Sequence, residues 1–254
     1  MKTSPEIITF YGADGCGKSS VARNLSRLMT HDGQDNMLLG SSSYKEWLNE
    51  DVSRLVFGDP EHILALEDDE KDKTLLYGDI AVACYGLSSW LKQQGVSAVI
   101  DSDPLFKRVI WSSLELDEQG HVEYANTFNQ RFSQFLGNNS GPDTIVAINQ
   151  GKDSRVSASD LVKRILLRGN PTFDDPTRVD AMVKLMDAVG LVWREVEKVA
   201  NGGQSKFPMF TDRLSGVRII HASNPDCTLN EDIVRATNNL ATEILESIKS
   251  PRTT

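Results

Sequence analysis

The chain has 254 residues, a formal net charge of −9 and 39% hydrophobic residues. This composition is typical of globular proteins and fits one α/β domain, or at most two; we predict a single domain over residues 1–254. The acidic balance argues against binding to nucleic acid, and no stretch is apolar enough to cross a membrane. The cysteines are far apart and odd in number (Cys16, Cys84 and Cys227), which favours a reducing, cytoplasmic compartment.

Short apolar runs alternate with longer stretches that have helical spacing. The runs have the length and residue types of buried strands and cover residues 7–11, 37–39, 96–100, 144–148 and 217–221. Residues 74–94, which end before Gly95, predict one of the helices. The alternation predicts a mostly parallel sheet covered on both faces. Residues 200–216, with Gly202 and Gly203, are predicted to form a surface excursion.

The first apolar run is followed by a phosphate-binding loop (P-loop), Gly12-Ala13-Asp14-Gly15-Cys16-Gly17-Lys18-Ser19. Its glycines allow backbone N–H groups to surround an anion, and the helix that begins near Lys18 directs its positive end at the same phosphates. Lys18 is placed to contact the β- and γ-phosphates, and Ser19 to bind Mg²⁺. The loop therefore predicts binding of ATP and Mg²⁺, with these residues as the nucleotide site: Gly12, Asp14, Gly15, Cys16, Gly17, Lys18, Ser19 and Ser20.

Two carboxylates follow the third predicted strand. Asp101 ends that strand, beside the strand of the P-loop, where enzymes of this kind place a ligand of a Mg²⁺-bound water or a catalytic base. Asp103 adds a second carboxylate, followed by Pro104. The alternative interpretation is turn chemistry, because Asp-Ser-Asp-Pro also suits the exit from a strand.

Two arginines are spaced for one face of a helix. Arg164 and Arg168 are four residues apart, and guanidinium groups of this kind stabilise a phosphoryl group during transfer. A glycine and a polar stretch follow, which indicates a lid over about residues 150–176. A solvated basic helix face would have the same spacing.

The order of these motifs resembles that of the thymidylate kinases, within the P-loop nucleoside monophosphate kinases. The resemblance covers about residues 6–248 and rests on these segments: Phe10–Ser20, Leu75–Asp79, Val99–Asp101, Pro142–Ile145 and Arg164–Gly169. It implies a five-stranded parallel sheet in the order 2-3-1-4-5 and a homodimer packed through helices near the acceptor pocket. It also implies that Asp14 contacts a sugar hydroxyl of the acceptor and that the helix containing Tyr77 lines the acceptor pocket.

The departures from this family are concentrated on the acceptor side. Where the family has arginine, this chain has Ser102 and Ile80, and the second strand runs into Gly40–Ser43 instead of an Arg-Glu-Pro-Gly sequence. Serine and isoleucine cannot replace an arginine fork on phosphate. Each lost contact to a charged group is worth about 1.5–3 kcal/mol. We therefore expect an acceptor other than dTMP.

Other residues are candidates for a rebuilt acceptor site. Asp101 or Asp103 is placed to take the proton of a hydroxyl acceptor. Lys107 and Arg108 lie one helical turn beyond Asp103 and would restore a positive contact in the acceptor site. A modified nucleotide is therefore a second class of acceptor that the sequence allows. Several aromatic residues suit the walls of such a pocket, although each also suits the core: Trp47, Tyr77, Tyr85, Trp90, Phe106 and Trp111.

Three functions remain open at this point. The first is an ATP-dependent small-molecule, nucleoside or nucleotide kinase with a changed acceptor, which we favour. The second is a thymidylate kinase with rearranged acceptor contacts. The third is a nucleotide-binding protein that does not transfer phosphate, against which the two lid arginines argue.

Overall fold

The structure is a computed structural model that describes residues 4–40, 47–62, 73–137, 140–150, 157–166, 178–223 and 230–250. Within this part of the chain, the strands are β1 (Ile7–Tyr11), β2 (Asn36–Leu39), β3 (Ser97–Ile100), β4 (Thr144–Ile148) and β5 (Arg218–Ala222). Each lies within one residue of the predicted apolar run at both ends. The strand predictions are therefore confirmed.

The strands form one parallel sheet in the order β2-β3-β1-β4-β5. The three central strands are buried along their whole length, whereas the edge strands β2 and β5 are partly exposed. Continuous apolar runs are typical of parallel strands that are covered on both faces. This topology confirms the predicted five-stranded α/β fold of a P-loop kinase.

Helices surround the sheet. Those of the described residues are α1 (Lys18–His31), α2 (Glu50–Phe57), α3 (Lys73–Gln93), α4 (Pro104–Glu115), α5 (Glu118–Leu136), α6 (Ala158–Leu166), α7 (Arg178–Ala200), α8 (Pro208–Leu214) and α9 (Asn230–Lys249). The first and last helices pack against each other, and α3, α4 and α5 form a second group. Helix α3 matches the helix predicted over 74–94, and Gly95 follows it with a φ of +82°.

The prediction for residues 200–216 is wrong in its second half. Helix α8 lies there, and Phe207, Met209, Phe210 and Leu214 are fully buried. Pro208 starts the helix at a position where its missing N–H leaves no helical bond unmade. The helix packs against α5 and α7, so its short apolar run forms part of the core rather than of a surface loop.

None of the helices in the described residues combines the length and the apolar character that a membrane span requires.

Candidate functional site

The P-loop lies between β1 and α1 and approaches other backbone closely at two glycines. Gly12 has a φ of +148°, and a Cβ atom there would lie 2.7 Å from the carbonyl oxygen of Ile148. Gly15 has a φ of +84°, and its Cβ would lie 2.9 Å from the carbonyl oxygen of Leu161. Both positions therefore require glycine, because any side chain would be strained and would collide with backbone.

The start of α1 is free of local capping. Gly17 precedes the helix with a φ of +96°, makes no side-chain cap, and is followed by a first turn without acidic residues. The unbonded N–H groups of this turn and the helix dipole favour an anion. Ser19 and Ser20 lie in the same turn and are half-buried. The P-loop and the first turn of α1 therefore suit the phosphate-binding role that the sequence predicts for them.

The Lys18 ammonium group lies over its own loop. Its Nζ donates hydrogen bonds to the carbonyl oxygens of Gly12, at 2.7 Å, and Ala13, at 2.9 Å, and lies 3.7 Å from the Asp14 carboxylate. These acceptors hold the cation at the centre of the loop, so a phosphate can replace them with little movement of the chain. Cys16 is buried under the loop, as expected for a small filling residue.

Asp101 lies at the carboxyl end of the sheet beside the P-loop. The pairing of Thr9 with Ile100 places Asp101 level with Phe10, two residues before Gly12. Its backbone N–H donates to the carbonyl oxygen of Leu39, and the residue is buried. Neighbouring strands are about 4.8 Å apart, so the Asp101 backbone lies about 5 Å from Phe10 and roughly 8 Å from the start of the loop at Gly12.

Asp103 is held by donors from β1, α3 and α4. The Thr9 hydroxyl donates to Oδ2 at 2.8 Å, the Tyr85 hydroxyl donates to the same oxygen, and the Leu105 N–H donates to Oδ1 at 2.9 Å as the cap of α4. Burial raises the pKa of the Asp103 carboxyl, and the hydrogen bonds from Tyr85 and Thr9 oppose that rise. The carboxylate therefore joins β1, α3 and α4, which makes it a structural anchor; contact with an acceptor stays a prediction.

A small cleft of about 30 Å³ separates the P-loop from α4 and α7. This is room for about one or two water molecules. Besides Tyr11, Gly12, Asp14 and Lys18, it is lined by Ser102, Asp103, Phe106, Lys107, Ile110, Trp111, Leu185 and Val189. Lys107 is exposed and Trp111 is 38% exposed, so movement of these two side chains would widen the cleft for a ligand.

Lys107 and Arg108 are adjacent candidates in the sequence, but their side chains have different surroundings in the structure. Lys107 lines the cleft beside the P-loop. The Arg108 Nε instead donates to the Tyr124 hydroxyl at 2.8 Å, and its guanidinium group lies over that ring. Arg108 thus contacts α5, and Lys107 is the cation nearer the P-loop.

The aromatic candidates have different positions. Phe106 and Trp111 line the cleft, whereas Tyr85 and Trp47 are buried and Trp90 is exposed on α3. The side chain of Tyr77 lies outside the described residues. Leu185 and Val189 of α7 line the cleft although the sequence did not single them out; their only signal is the apolar spacing of that helix.

The described part of the predicted lid is helix α6, which packs on the P-loop. The carbonyl oxygen of Leu161 and the side chain of Ile165 lie against Gly15. Arg164 belongs to this helix, but its side chain lies outside the described residues, as does all of Arg168. Contact between these arginines and a phosphate therefore stays a prediction.

A partly buried ion-pair network surrounds Asp79 of α3, next to Ile80. Ile80 is buried in the core, but Arg131 of α5 donates Nε and Nη2 to the two oxygens of Asp79, at 2.7 and 2.8 Å. His62 Nε2 lies 2.7 Å from Asp79 Oδ2, and its ring stacks on Phe57. The hydrogen bond to Asp79 raises the pKa of the Arg131 guanidinium. Sequence reasoning missed this network.

We expect Arg131→Met to destabilise the protein by about 3 kcal/mol, because Asp79 is fully buried and would keep only His62 as a side-chain hydrogen-bond partner among the described residues. Chemical denaturation measures this loss in the free energy of unfolding. Arg194→Met, on the exposed face of α7, is the matched control and should change stability by less than about 0.5 kcal/mol. Equal losses in the two variants would show that the buried pair contributes no special stability.

The donor set also fits Mg²⁺. The Ser19 hydroxyl, in the first turn of α1, and the Asp101 carboxylate, at the end of the neighbouring strand, are hard oxygen ligands of the kind that Mg²⁺ prefers. Among the described residues there is no group of three or more His, Cys, Asp or Glu side chains that would hold a metal by itself.

Comparison with solved structures relates this architecture to a nucleoside kinase. The structure of deoxyadenosine kinase from M. mycoides with bound dATP superimposes with a TM-score of 0.51 and 16% sequence identity, over 94% of this chain and 98% of that chain. A second structure of that kinase, with product dCMP and a flexible dCDP, gives a TM-score of 0.47 at 16% identity, over 95% of this chain and 99% of that chain. No family model and no curated protein sequence matches the chain. The likeness is therefore one of fold.

Proposed function

We propose that the chain is a kinase that transfers the γ-phosphoryl group of ATP to a small-molecule, nucleoside or nucleotide acceptor other than dTMP. The observation that carries this proposal is the arrangement at one edge of the sheet. The P-loop, with Lys18 and the uncapped N-terminus of α1, lies on the strand next to Asp101. Ser102 and Ile80 occupy positions where thymidylate kinases have arginines.

In this proposal the donor phosphates lie on the backbone of residues 12–20. Lys18 exchanges its loop carbonyls for β- and γ-phosphate oxygens, and the dipole of α1 stabilises the same charge. Ser19 and Asp101 would hold Mg²⁺, which would neutralise phosphate charge during transfer. Arg164 and Arg168 stabilise the phosphoryl group during transfer, with residues of about 150–176 as a lid on the single domain.

The transfer step requires a base if the acceptor is a hydroxyl group. The acceptor oxygen attacks the γ-phosphorus, the bond from that phosphorus to the ADP oxygen breaks, and the hydroxyl proton passes to Asp101. Asp103, the other candidate base, accepts hydrogen bonds from Thr9, Tyr85 and the Leu105 N–H. The same carboxylate of Asp101 serves either as this base or as a ligand of the Mg²⁺ water.

A nucleoside is the acceptor class that we favour. The similar structure is that of a deoxyadenosine kinase, whose substrate by name has a hydroxyl and no phosphate as acceptor group. The loss of arginines at 80 and 102 agrees with an acceptor that lacks phosphate. Asp14, at the cleft, is assigned to a sugar hydroxyl, and Lys107, Phe106 and Trp111 form the wall that faces it. Assembly as a homodimer is also part of the proposal.

The deciding experiment measures ADP release from ATP and Mg²⁺ with a panel of acceptors, and Lys18→Ala as the negative control. The panel contains deoxynucleosides, nucleosides, dTMP, other nucleoside monophosphates and sugars. We expect turnover with a deoxynucleoside or nucleoside and none with dTMP. Turnover with dTMP would establish the thymidylate kinase alternative, and ATP binding without turnover on any acceptor would establish the non-catalytic one.

A further inference from the structure

Tyr11 is the last residue of β1 and comes directly before Gly12 of the P-loop. Its side chain borders the cleft beside the loop, although the residue is only 1% exposed. Its hydroxyl donates a hydrogen bond of 2.6 Å to the carbonyl oxygen of Val189, in the middle of α7. This bond joins the strand that leads into the P-loop to a helix residue 178 positions further along the chain.

The Tyr11 ring is held independently of its hydroxyl. It packs edge-on against Phe106 of α4, with 5.2 Å between ring centres, and lies 5.0 Å from the Trp193 ring of α7. Strand pairing places Tyr11 beside Ala147 and Ala147 beside His221, so these residues share one face of the sheet. The Trp193 ring contacts the rings of Tyr11 and His221 on that face. Phenylalanine at position 11 would therefore keep this packing and lose only the hydrogen bond.

The Tyr11 hydroxyl is a lasting donor. Burial raises the pKa of this hydroxyl well above its ordinary value, so the group keeps its proton in neutral and moderately alkaline solution. The acceptor is a backbone carbonyl of α7, so a change of side-chain rotamer on Val189 would not remove it. The bond therefore ties one point of α7 to the end of β1.

Helix α7 forms part of the wall of the cleft. Leu185 and Val189 line it and are one helical turn apart, and Phe106 and Trp111 of α4 line it as well. Helix α7 packs against α4, α6 and α8, and the Tyr11 hydroxyl adds a directional bond to the sheet itself. Apolar packing has no preferred direction, whereas a hydrogen bond requires a distance and an angle. The bond thus sets how far the α7 wall lies from the P-loop.

We propose that Tyr11 is a positioning residue of the acceptor site, which holds the Val189 turn of α7 at the distance from the P-loop that the acceptor requires. The inference rests on the proposed function, since it concerns the cleft assigned there to the acceptor. The α7 wall contacts the acceptor before and during transfer, so its position affects the KM for the acceptor rather than kcat. The donor phosphates lie on the loop backbone and Lys18, so the KM for ATP is expected to change little.

Tyr11→Phe tests this role in steady-state ADP release, with the panel acceptor that gives the highest turnover in the wild-type protein. We expect the KM for that acceptor to rise about three- to tenfold, which is the effect of one neutral hydrogen bond, while kcat and the KM for ATP stay within about twofold. Tyr124→Phe is the matched control. It removes a tyrosine hydroxyl that joins α5 to Arg108 of α4, and it should leave the KM for the acceptor unchanged.

Hydrogen–deuterium exchange gives a second readout that needs no turnover. In the ligand-free protein, the amides of α7 around Val189 should exchange faster in Tyr11→Phe than in the wild type or in Tyr124→Phe. Unchanged exchange would show that the bond does not hold α7, and the positioning role would then be lost.

A merely structural role of Tyr11 would give a different kinetic result. A smaller folded fraction lowers kcat and leaves both KM values as they are, and this outcome would overturn the positioning role while the kinase function stands. A wild-type protein that turns over no acceptor would instead overturn the proposed function, and the role of Tyr11 at the acceptor with it.

Discussion

Replacing Lys18 by alanine is expected to lower the rate of phosphoryl transfer by about 10²–10³-fold while the protein keeps its fold. Among the described residues, the hydrogen bonds and the ion pair of the Lys18 ammonium group are all with its own loop, so its removal breaks no polar bond to another element there. Its charge acts on phosphate oxygens, where charge develops during transfer. Steady-state ADP release measures the rate, and thermal unfolding measures the fold.

The matched control for this variant is Lys184→Ala, which removes an exposed lysine of α7. It should retain the full rate. A Lys18→Ala protein with nearly normal turnover would contradict the donor site that we propose. A loss of rate that came with a lower melting temperature would instead indicate a structural role for Lys18.

The second large effect is expected for Asp101→Asn, which should lower kcat by about 10²–10⁴-fold. Asparagine keeps the size of the side chain at the buried end of β3, so the sheet should remain intact, but it cannot accept a proton and is a weaker ligand for Mg²⁺. Rates are measured as a function of pH and of Mg²⁺ concentration, with Asp187→Asn on the exposed face of α7 as the control.

These two titrations distinguish the roles of Asp101. If it is the base, the variant loses rate at every Mg²⁺ concentration, and its demand for Mg²⁺ is unchanged. If it orients a metal-bound water, the variant needs more Mg²⁺ for the same rate. A variant as active as Asp187→Asn would remove Asp101 from the proposed mechanism altogether.

The sheet and the P-loop could be predicted because their signals are contiguous in the chain. A buried parallel strand is a short apolar run, and the loop Gly12–Ser19 has its glycines, lysine and serine within eight positions. The strand order followed from the family resemblance, and the structure confirms it. Neither prediction required knowledge of how the helices pack.

The ion pairs around Asp79, helix α8 and the direction of Lys107 could not be predicted, because they depend on how distant helices pack. His62, Asp79 and Arg131 are separated by 17 and 52 positions, and nothing in their local sequence links them. Helix α8 was missed because its seven residues are too few for a clear helical period, and the preceding glycines indicated a turn. Lys107 and Arg108 are adjacent, yet about 100° of helical rotation directs one to the cleft and the other to α5.

The hydrogen bonds on Asp103 have a consequence for how the proposed kinase could acquire new acceptors. Because one carboxylate joins β1, α3 and the start of α4, the strand that leads into the P-loop and the helices beside the cleft are fixed to each other. Lys107 and Trp111 lie on α4 at the cleft and take no part in the bonds on Asp103. In the proposed kinase, substitutions at these two positions are therefore expected to change acceptor preference more than ATP binding, which makes them the first choice for directed evolution of new acceptors.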